Sequence, residues 1–344
     1  MESAIPEHLR REPRRPNGKP NDYAPPFPAW VARFEPLEKQ VVMAYFGVQS
    51  RRQPTPAALS PITDRFETGG GPGVWDLAGM VDAEGFHNLF AIAYWTDIDV
   101  FQRWWDDSGF AAWWRDPARE TEQVGWILEL VTPTPERFET LFSSPDRQEG
   151  IGRLNHAMSG EIVEHGYWGS ARDRLPLAQT EALQGTAAGR PGAPVSSVRY
   201  RSAGHDNLCL IRSGQDWSDT DGEERTLYRD EIAPVLEAGM TYLRDHGDEV
   251  GCLSCRFMTA LDPTTGEPME KTFGLAHFND LANLESWAKH HPTHLAIFGG
   301  FMQYVQRLNF QVSLRLYHEV TVIPASAQHF EYIGCHPGSG LLGA

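Results

Sequence analysis

An internal repeat constrains the fold of this chain more than any other feature of its 344 residues. The segment Ala93–Asp97 recurs as Ala276–Asp280, at an offset of 183 positions, and a tryptophan follows the aspartate at the same spacing in both copies (Trp104 and Trp287). Each copy has a strand-like apolar run, an aspartate placed like a helix N-cap, and an amphipathic helical pattern after it. The repeat predicts two similar halves.

Further apolar runs complete the same order of elements in each half. The predicted strands are Val41–Gln49, Leu89–Trp95 and Trp126–Thr132 in the first half, and Leu208–Gln215, Phe273–Phe278 and Phe310–Val322 in the second. A middle helix is clear over Arg225–His246, whereas its first-half counterpart is poorly defined because that stretch contains prolines and a glycine triplet. This order predicts an α+β fold of two ferredoxin-like halves, each an antiparallel sheet with helices on one face.

Composition sets the boundaries between these parts. Residues 1–38 are rich in proline and arginine, which predicts an extended N-terminal arm over the surface or over a partner subunit; the alternative is a disordered tail. A Gly/Pro/Ala-rich stretch at 172–196 is the predicted connection. The two halves are then 39–171 and 197–344.

Charge excludes several classes of partner. Lys and Arg number 30 against 46 Asp and Glu, a formal net charge of −16. So acidic a chain lacks the electrostatic footprint of a protein that binds nucleic acid or an anionic membrane. No apolar run approaches the roughly 18 residues of a membrane span, and the N-terminus has no apolar signal region. We therefore expect a cytoplasmic protein whose four cysteines are thiols.

His294 is the first histidine that the pattern singles out. It precedes Ile297 and Phe298 by about one turn, on the apolar face of a helical run for which Thr293 is the predicted N-cap. Burial and a helix N-terminus both favour a neutral imidazole, which is the form that haem iron or another transition metal requires. His290 and His291 compete with it as ligands, and a core histidine without function is the alternative.

His318 is the second. The predicted closing strand alternates so that Leu314, Leu316, His318, Val320 and Val322 share one face, on which His318 is the polar member. One such histidine is usually a hydrogen-bonded core residue. Two histidines on adjacent inward faces favour a functional site.

Four other polar residues are weaker candidates from spacing alone. Ser218 follows an apolar run and has the alternative of a turn or cap serine. Arg172 and Arg174 lie after Tyr167–Ser170, in what could be a surface turn with solvated arginines. Glu139 would by default be an exposed helix residue.

Taken together, the sequence resembles the haem-dependent aldoxime dehydratases, the enzymes that make nitriles from aldoximes. The similarity covers almost the whole chain from about residue 25, and its segments occur in the same order. They are Val41–Gln49, Asn88–Asp97, Gly166–Ser170, Thr293–Phe298, Leu314–Val320 and Cys335–Gly338.

The resemblance implies a dimeric α+β barrel of tandem ferredoxin-like repeats and a homodimer. It implies non-covalent haem b, in agreement with the absence of a CxxCH motif after Cys252 and Cys255. It places His294 as the proximal iron ligand. It also implies a small-molecule aldoxime as substrate.

The remaining site residues follow from the same resemblance. His318 matches the distal histidine and would act as general acid, and Ser218 would orient the oxime oxygen. The essential arginine matches Arg174, with Arg172 as the alternative, and Glu139 lies near a glutamate of the family's site. Two other functions stay open, a haem peroxidase of similar architecture and a non-catalytic haem carrier or sensor.

Overall fold

A long antiparallel sheet dominates the computed structural model, which describes residues 1–16, 18–19, 22–186, 193–202 and 204–343. Residues 187–192 of the predicted connection at 172–196 therefore lie outside the described residues. The same holds for residues 17, 20 and 21 of the predicted arm. The strands are Ala32–Arg33 (β1), Val42–Ser50 (β2), Val74–Val81 (β3), His87–Trp95 (β4), Gly125–Val131 (β5), Phe138–Phe142 (β6), Ala157–Met158 (β7), Ala193–Pro194 (β8), Arg199–Ser202 (β9), Leu208–Asp216 (β10), Cys252–Leu261 (β11), Pro268–Phe278 (β12), Arg315–Ile323 (β13) and Gln328–Ile333 (β14).

Helices lie between the strands of both halves. They are Ser60–Thr63 (α1), Ile98–Asp107 (α2), Phe110–Arg115 (α3), Ser170–Arg174 (α4), Gly222–Leu227 (α5), Ala233–His246 (α6), Leu281–His290 (α7) and Pro292–Arg307 (α8). A π-helical turn, Tyr228–Ile232, joins α5 to α6. The middle helix predicted for the second half is thus present. At the corresponding place in the first half there are only short helical turns, over Pro56–Glu67. Within the described ranges, no helix is long and apolar enough to cross a membrane.

Twelve of these strands form one sheet in the order β6-β13-β10-β12-β11-β3-β4-β2-β5-β14-β9-β8, with neighbours antiparallel. The α+β class and the large antiparallel sheet are confirmed. Read outward from the point where the two groups meet, the first half has the order β3-β4-β2-β5 and the second has β11-β12-β10-β13. Numbered within its own half, each group therefore has the order second, third, first, fourth. The two groups join where β3 pairs with β11.

The sheet is covered on both faces. Its strands pack against α2 and α3 in the first half, and against α6 and α7 in the second. On the opposite face, residues of both halves share one core, for example Tyr45, Phe90, Leu210 and Phe273. This explains why β2 is buried almost throughout instead of alternating between buried and exposed residues.

Local capping signals are confirmed at two helices and wrong at a third. Asp97 accepts hydrogen bonds from two backbone N–H groups of α2, and Asp280 accepts one from the N–H of Asn283. The N-cap of α8, however, is His291 and not Thr293. The helix starts one residue after His291, at Pro292, because proline is favoured in the first turn, where no N–H donor is needed.

The closing strand is shorter than predicted. It begins at Arg315 and not at Phe310, because Asn309 and Phe310 adopt left-handed backbone angles (φ of 51° and 60°) after the end of α8. Both of its faces are covered, since Glu319 and Thr321, opposite to the face of His318, are also buried.

The N-terminal arm packs on its own chain. Glu2 and Trp30 form isolated bridges with Ile162 and Phe142, and Arg15 pairs with the buried Asp173 at 2.7 Å. These contacts place the arm against β6 and against the segment that runs from Ile162 through α4.

Candidate active site

Three of the predicted site residues meet at one edge of the sheet. His318 lies on β13, and Glu139 lies on the neighbouring edge strand β6. Arg174 is the last residue of α4. Its Nε lies 2.6 Å from Oε2 of Glu139, and its Nη2 lies 3.2 Å from Oε1. The His318 Nε2 lies 2.8 Å from the same Nη2 and 3.0 Å from Glu139 Oε1.

The Glu139–Arg174 ion pair is withdrawn from solvent, with each side chain only 1% exposed. Arg174 also donates to the backbone carbonyl of Glu164 at 2.7 Å. Burial alone would raise the pKa of Glu139, but the charges of Arg174 and His318 outweigh it and hold the pKa below its usual range. The carboxylate is therefore ionised and rigidly placed. The expectation that Glu139 would be an exposed helix residue is wrong, because this segment forms a strand that pairs with β13.

His318 has a partner for its Nε2 in either protonation state. Arg174 can only donate a hydrogen bond, so it satisfies an unprotonated Nε2; the Glu139 carboxylate can only accept, so it satisfies a protonated one. The Nδ1 of His318 makes no hydrogen bond with any described residue, and the side chain is 24% exposed. Such a ring can release or take up a proton at Nδ1 while it keeps its orientation.

The structure separates the two candidate arginines. Arg172 forms a bidentate pair with Glu285 on α7, with Nε–Oε1 and Nη2–Oε2 distances of 3.0 and 2.7 Å, and donates to the carbonyl of Ala182. It therefore ties α4 to the second half of the chain. Arg174 is the arginine that contacts His318. The alternative of two solvated arginines in a surface turn is wrong, because Arg174 is buried.

Ser218 lies apart from this trio. It follows the end of β10, where Asp216 pairs with Arg315 of β13. Arg315 is three residues before His318, which is about 10 Å along the strand. Its hydroxyl lies 2.6 Å from Asp216 Oδ1 and 3.0 Å from Arg147 Nη1. A shallow surface depression, lined in part by Asp216, Arg147 and Leu316, lies at this end of the two strands.

His294 occupies the first turn of α8, between two tryptophans. The centroid of its ring is 4.7 Å from that of Trp287 and 5.8 Å from that of Trp168, both edge-on. Its Nδ1 is buried and has no hydrogen-bond partner in the part of the chain that the structure describes. Burial lowers the pKa of the ring to about 4, although the nearby carbonyl of Ala288 opposes the shift. The ring is therefore neutral at physiological pH.

The two competing histidines have other surroundings. His291 caps α8 and stacks on Tyr242 at 4.2 Å, and His290 is exposed at the end of α7. Neither shares the desolvated environment of His294.

One short segment contacts both histidine sites. Trp168 packs on His294, and Arg174, six residues later, contacts His318. The Cα atoms of Trp168 and Arg174 can therefore be at most about 20 Å apart, so the two histidines flank a region of limited size. They do not touch each other or share a partner among the described residues.

The surroundings of His294 fit a haem group. A neutral imidazole is what haem iron needs as an axial ligand. Around it, Trp168 and Phe298 pack on each other at 5.3 Å but remain 39% and 45% exposed, which leaves apolar surface for a flat macrocycle. Across the described ranges, no group of three His, Cys, Asp or Glu side chains could hold a metal ion by itself. Haem does not need such a group, because the macrocycle supplies most of the iron ligands.

Reasoning from the sequence missed Asp216, Arg147 and Glu285. Asp216 is the informative case, because it directly precedes Trp217-Ser218-Asp219 and ends a strand. Aspartates often bond the backbone two residues on, and Asp216 does so with the N–H of Ser218 at 3.0 Å. That local signal was available in the sequence.

Comparison with known proteins decides the family. The sequence model of the haem-containing dehydratases matches residues 44–341. This chain belongs to the haem-containing dehydratase family. Among curated proteins, an aliphatic aldoxime dehydratase of Rhodococcus globerulus is 43% identical to this haem-containing dehydratase, over 99% of this chain and 98% of the relative. It is 31% identical to a phenylacetaldoxime dehydratase of Bacillus sp. strain OxB-1, over 94% and 93% of the two chains.

Solved structures agree with this assignment. A crystal structure of an aldoxime dehydratase in complex with butyraldoxime superimposes on this haem-containing dehydratase with a TM-score of 0.94, at 42% identity, and covers 99% of this chain and 96% of the other. A second aldoxime dehydratase structure matches equally well, with 99% and 98% of the chains covered. The haem expected from the sequence is therefore confirmed as a property of the family.

Proposed function

We propose that this haem-containing dehydratase is a lyase that converts aldoximes to nitriles, R–CH=N–OH to R–C≡N and water. The observation that carries the proposal is the placement of His318: its Nε2 is held by a buried Glu139–Arg174 pair, and its Nδ1 has no partner among the described residues. It occurs in a chain that matches aldoxime dehydratases over almost its whole length.

The reaction needs an acid and a base, and one group can serve as both in turn. Hydroxide is a poor leaving group, so an acid must protonate the oxime oxygen as the N–O bond breaks, and a base must remove the proton on carbon. His318 can do both in turn through Nδ1, because its Nε2 stays partnered in both states. Proton transfer by a positioned side chain contributes about 10²–10⁴-fold to the rate.

His294 would hold the haem, here proposed as haem b, through its neutral imidazole, flanked by Trp168, Trp287 and Phe298. When bound in the ferrous state, haem supplies a soft metal site for the oxime nitrogen and electron density for cleavage of the N–O bond. The chain's own residues on the distal side then have only to orient the oxime and to transfer protons.

Arg174 and Glu139 position His318, and we propose that neither exchanges a proton itself. A guanidinium is a charged donor that does not act as a base. The carboxylate of Glu139 has a lowered pKa. Ser218, which follows β10, would hydrogen-bond the oxime oxygen. Arg172 is assigned to the pair with Glu285 and not to the reaction.

We also propose the organisation expected from the sequence. The matching strand orders of β2–β5 and β10–β13 support two tandem ferredoxin-like repeats, at 39–171 and 197–344, that form an α+β barrel around the shared core. We propose a homodimer as the working state, on the basis of the family resemblance.

A direct assay tests the proposed function. Haem-loaded protein, reduced with dithionite under anaerobic conditions, is incubated with phenylacetaldoxime, and the nitrile is measured by chromatography. We expect nitrile from the reduced protein and little from the oxidised protein. Peroxidase activity with ferric iron and no nitrile from ferrous protein would contradict the proposal; haem binding without either activity would favour a carrier.

A further inference from the structure

The hydroxyl of Ser218 has two neighbours that fix the direction of its hydrogen bonds. Asp216 Oδ1 lies 2.6 Å away, and Arg147 Nη1 lies 3.0 Å away. A guanidinium can only donate, so the serine oxygen accepts from Arg147. A carboxylate can only accept, so the single serine hydrogen goes to Asp216.

Asp216 is ionised, as these hydrogen-bond directions require. Its side chain is only 3% exposed. Burial alone would raise the pKa of Asp216, but hydrogen bonds from Ser218 and Arg147 and the nearby charge of Lys271 lower it to about 2. Oδ1 accepts from the hydroxyl and the backbone N–H of Ser218, and Oδ2 lies 2.9 Å from Arg147 and 3.4 Å from Lys271. The carboxylate is therefore ionised and surrounded by donors.

These two contacts use the serine hydrogen and one lone pair, and among the described residues nothing occupies the second lone pair. Ser218 is also exposed, so a ligand can reach it. We propose that Asp216 is a positioning residue that makes Ser218 a hydrogen-bond acceptor, so that Ser218 binds the O–H of the oxime and cannot donate to its oxygen. This inference rests on the proposed function, in which Ser218 contacts the oxime.

The direction of this hydrogen bond matters for the chemistry. If the oxime hydroxyl donates to Ser218, both lone pairs of the oxime oxygen stay available to a proton donor. A donating serine would occupy one of those lone pairs and would compete with the acid. Asp216 thus keeps Ser218 from competing with the acid for the leaving oxygen.

An oxime without its hydroxyl hydrogen tests the inference. The O-methyl ether of phenylacetaldoxime cannot donate, so a serine that only accepts must bind it more weakly than the parent oxime. Dissociation constants are measured from the haem absorption shift of reduced, haem-loaded protein in the His318→Ala background, in which turnover is expected to be slow. We expect the aldoxime to bind about five- to tenfold more tightly than the ether, the value of one net hydrogen bond.

Asp216→Asn should reduce this ratio to about twofold or less. The two cations Arg147 and Lys271 hold the amide oxygen on their side against the single backbone N–H of Ser218, so the amide N–H₂ faces Ser218 and frees the serine hydrogen to donate to the ether. The change is nearly isosteric, so a preference caused by the bulk of the methyl group would persist. Asp219→Asn is the matched control, because Asp219 pairs with Arg147 and Arg315 but does not contact the Ser218 hydroxyl, and it should leave the ratio unchanged.

Two results would overturn the inference. An unchanged ratio in Asp216→Asn, or no preference in the background protein, overturns the inference. If Asp216→Asn does not fold, Ser218→Ala tests the acceptor directly and must abolish the preference; a preference that survives there also overturns it. Nitrile formation by the protein with His318 intact is measured in parallel, so a failure of the proposed function is recognised separately.

Discussion

Replacing His318 and His294 with alanine, one at a time, distinguishes a proton-transfer group from an iron ligand. His318 contacts Glu139 and Arg174 through Nε2, and these two residues keep their own ion pair at 2.6 Å when the ring is removed. The Nδ1 of His294 is buried without a hydrogen-bond partner among the described residues, and the ring's pKa of about 4 keeps it neutral. The two variants should therefore differ in which property they lose.

His318→Ala should keep its haem and lose turnover by about 10²–10⁴-fold, or about 3–5 kcal/mol of barrier, the scale of a missing general acid. The free energy of unfolding should change by only about 1 kcal/mol, because the buried ion pair remains satisfied. His294→Ala should lose most of its haem, because only apolar contacts then hold the macrocycle.

The assay combines the haem absorption spectrum of each purified variant with anaerobic nitrile formation from phenylacetaldoxime. His318→Gln is the matched control for His318→Ala: it can still hydrogen-bond Arg174 but cannot transfer a proton, so it should be equally slow. Haem loss in His318→Ala with haem kept in His294→Ala would mean that the two roles are reversed. Haem and activity retained in both variants would refute the site.

Other predictions follow from the charged groups and from the cofactor. Arg174→Ala should abolish nitrile formation and lower the free energy of unfolding by about 3–5 kcal/mol in urea titrations, because Glu139 is left buried and unpaired, whereas Arg172→Ala should keep most of the activity. Burial opposes the ionisation of Glu129, but Arg256 lowers its pKa to about 2, so this pair should stabilise the protein fully above about pH 4.5 and lose about 3 kcal/mol as pH falls toward 2; Glu129→Gln should flatten that part of the stability–pH curve. Nitrile formation should be fast only with ferrous haem, and equal rates for the ferric protein would contradict the role given to reduced iron. Light scattering should show a dimer, and a species of 38.6 kDa at working concentration would contradict it.

Local patterns in the sequence placed six strands, β2, β4, β5, β10, β12 and β13, whereas they gave no range for β3, β6, β11 or β14. Asp97 and Asp280 cap α2 and α7 as predicted, since a cap depends on N–H groups two or three residues away. The predicted strands are present with bounds that shift by a few residues, apart from β13, where left-handed angles at Asn309 and Phe310 delay its start to Arg315. The histidines could be singled out because the periodicity of a helix or strand assigns a side chain to a face.

The surroundings of each candidate side chain were decided by the tertiary structure alone. Arg172 and Arg174 are two positions apart and chemically identical, yet one pairs with Glu285 and the other with Glu139 and His318. Glu139 lies 35 residues from Arg174, and His318 lies 144 residues from it. The strength of an ion pair depends on burial and on distances of about 3 Å, and the chain sets these only when β6, β13 and α4 pack together. A pattern that extends over a few residues cannot contain that information.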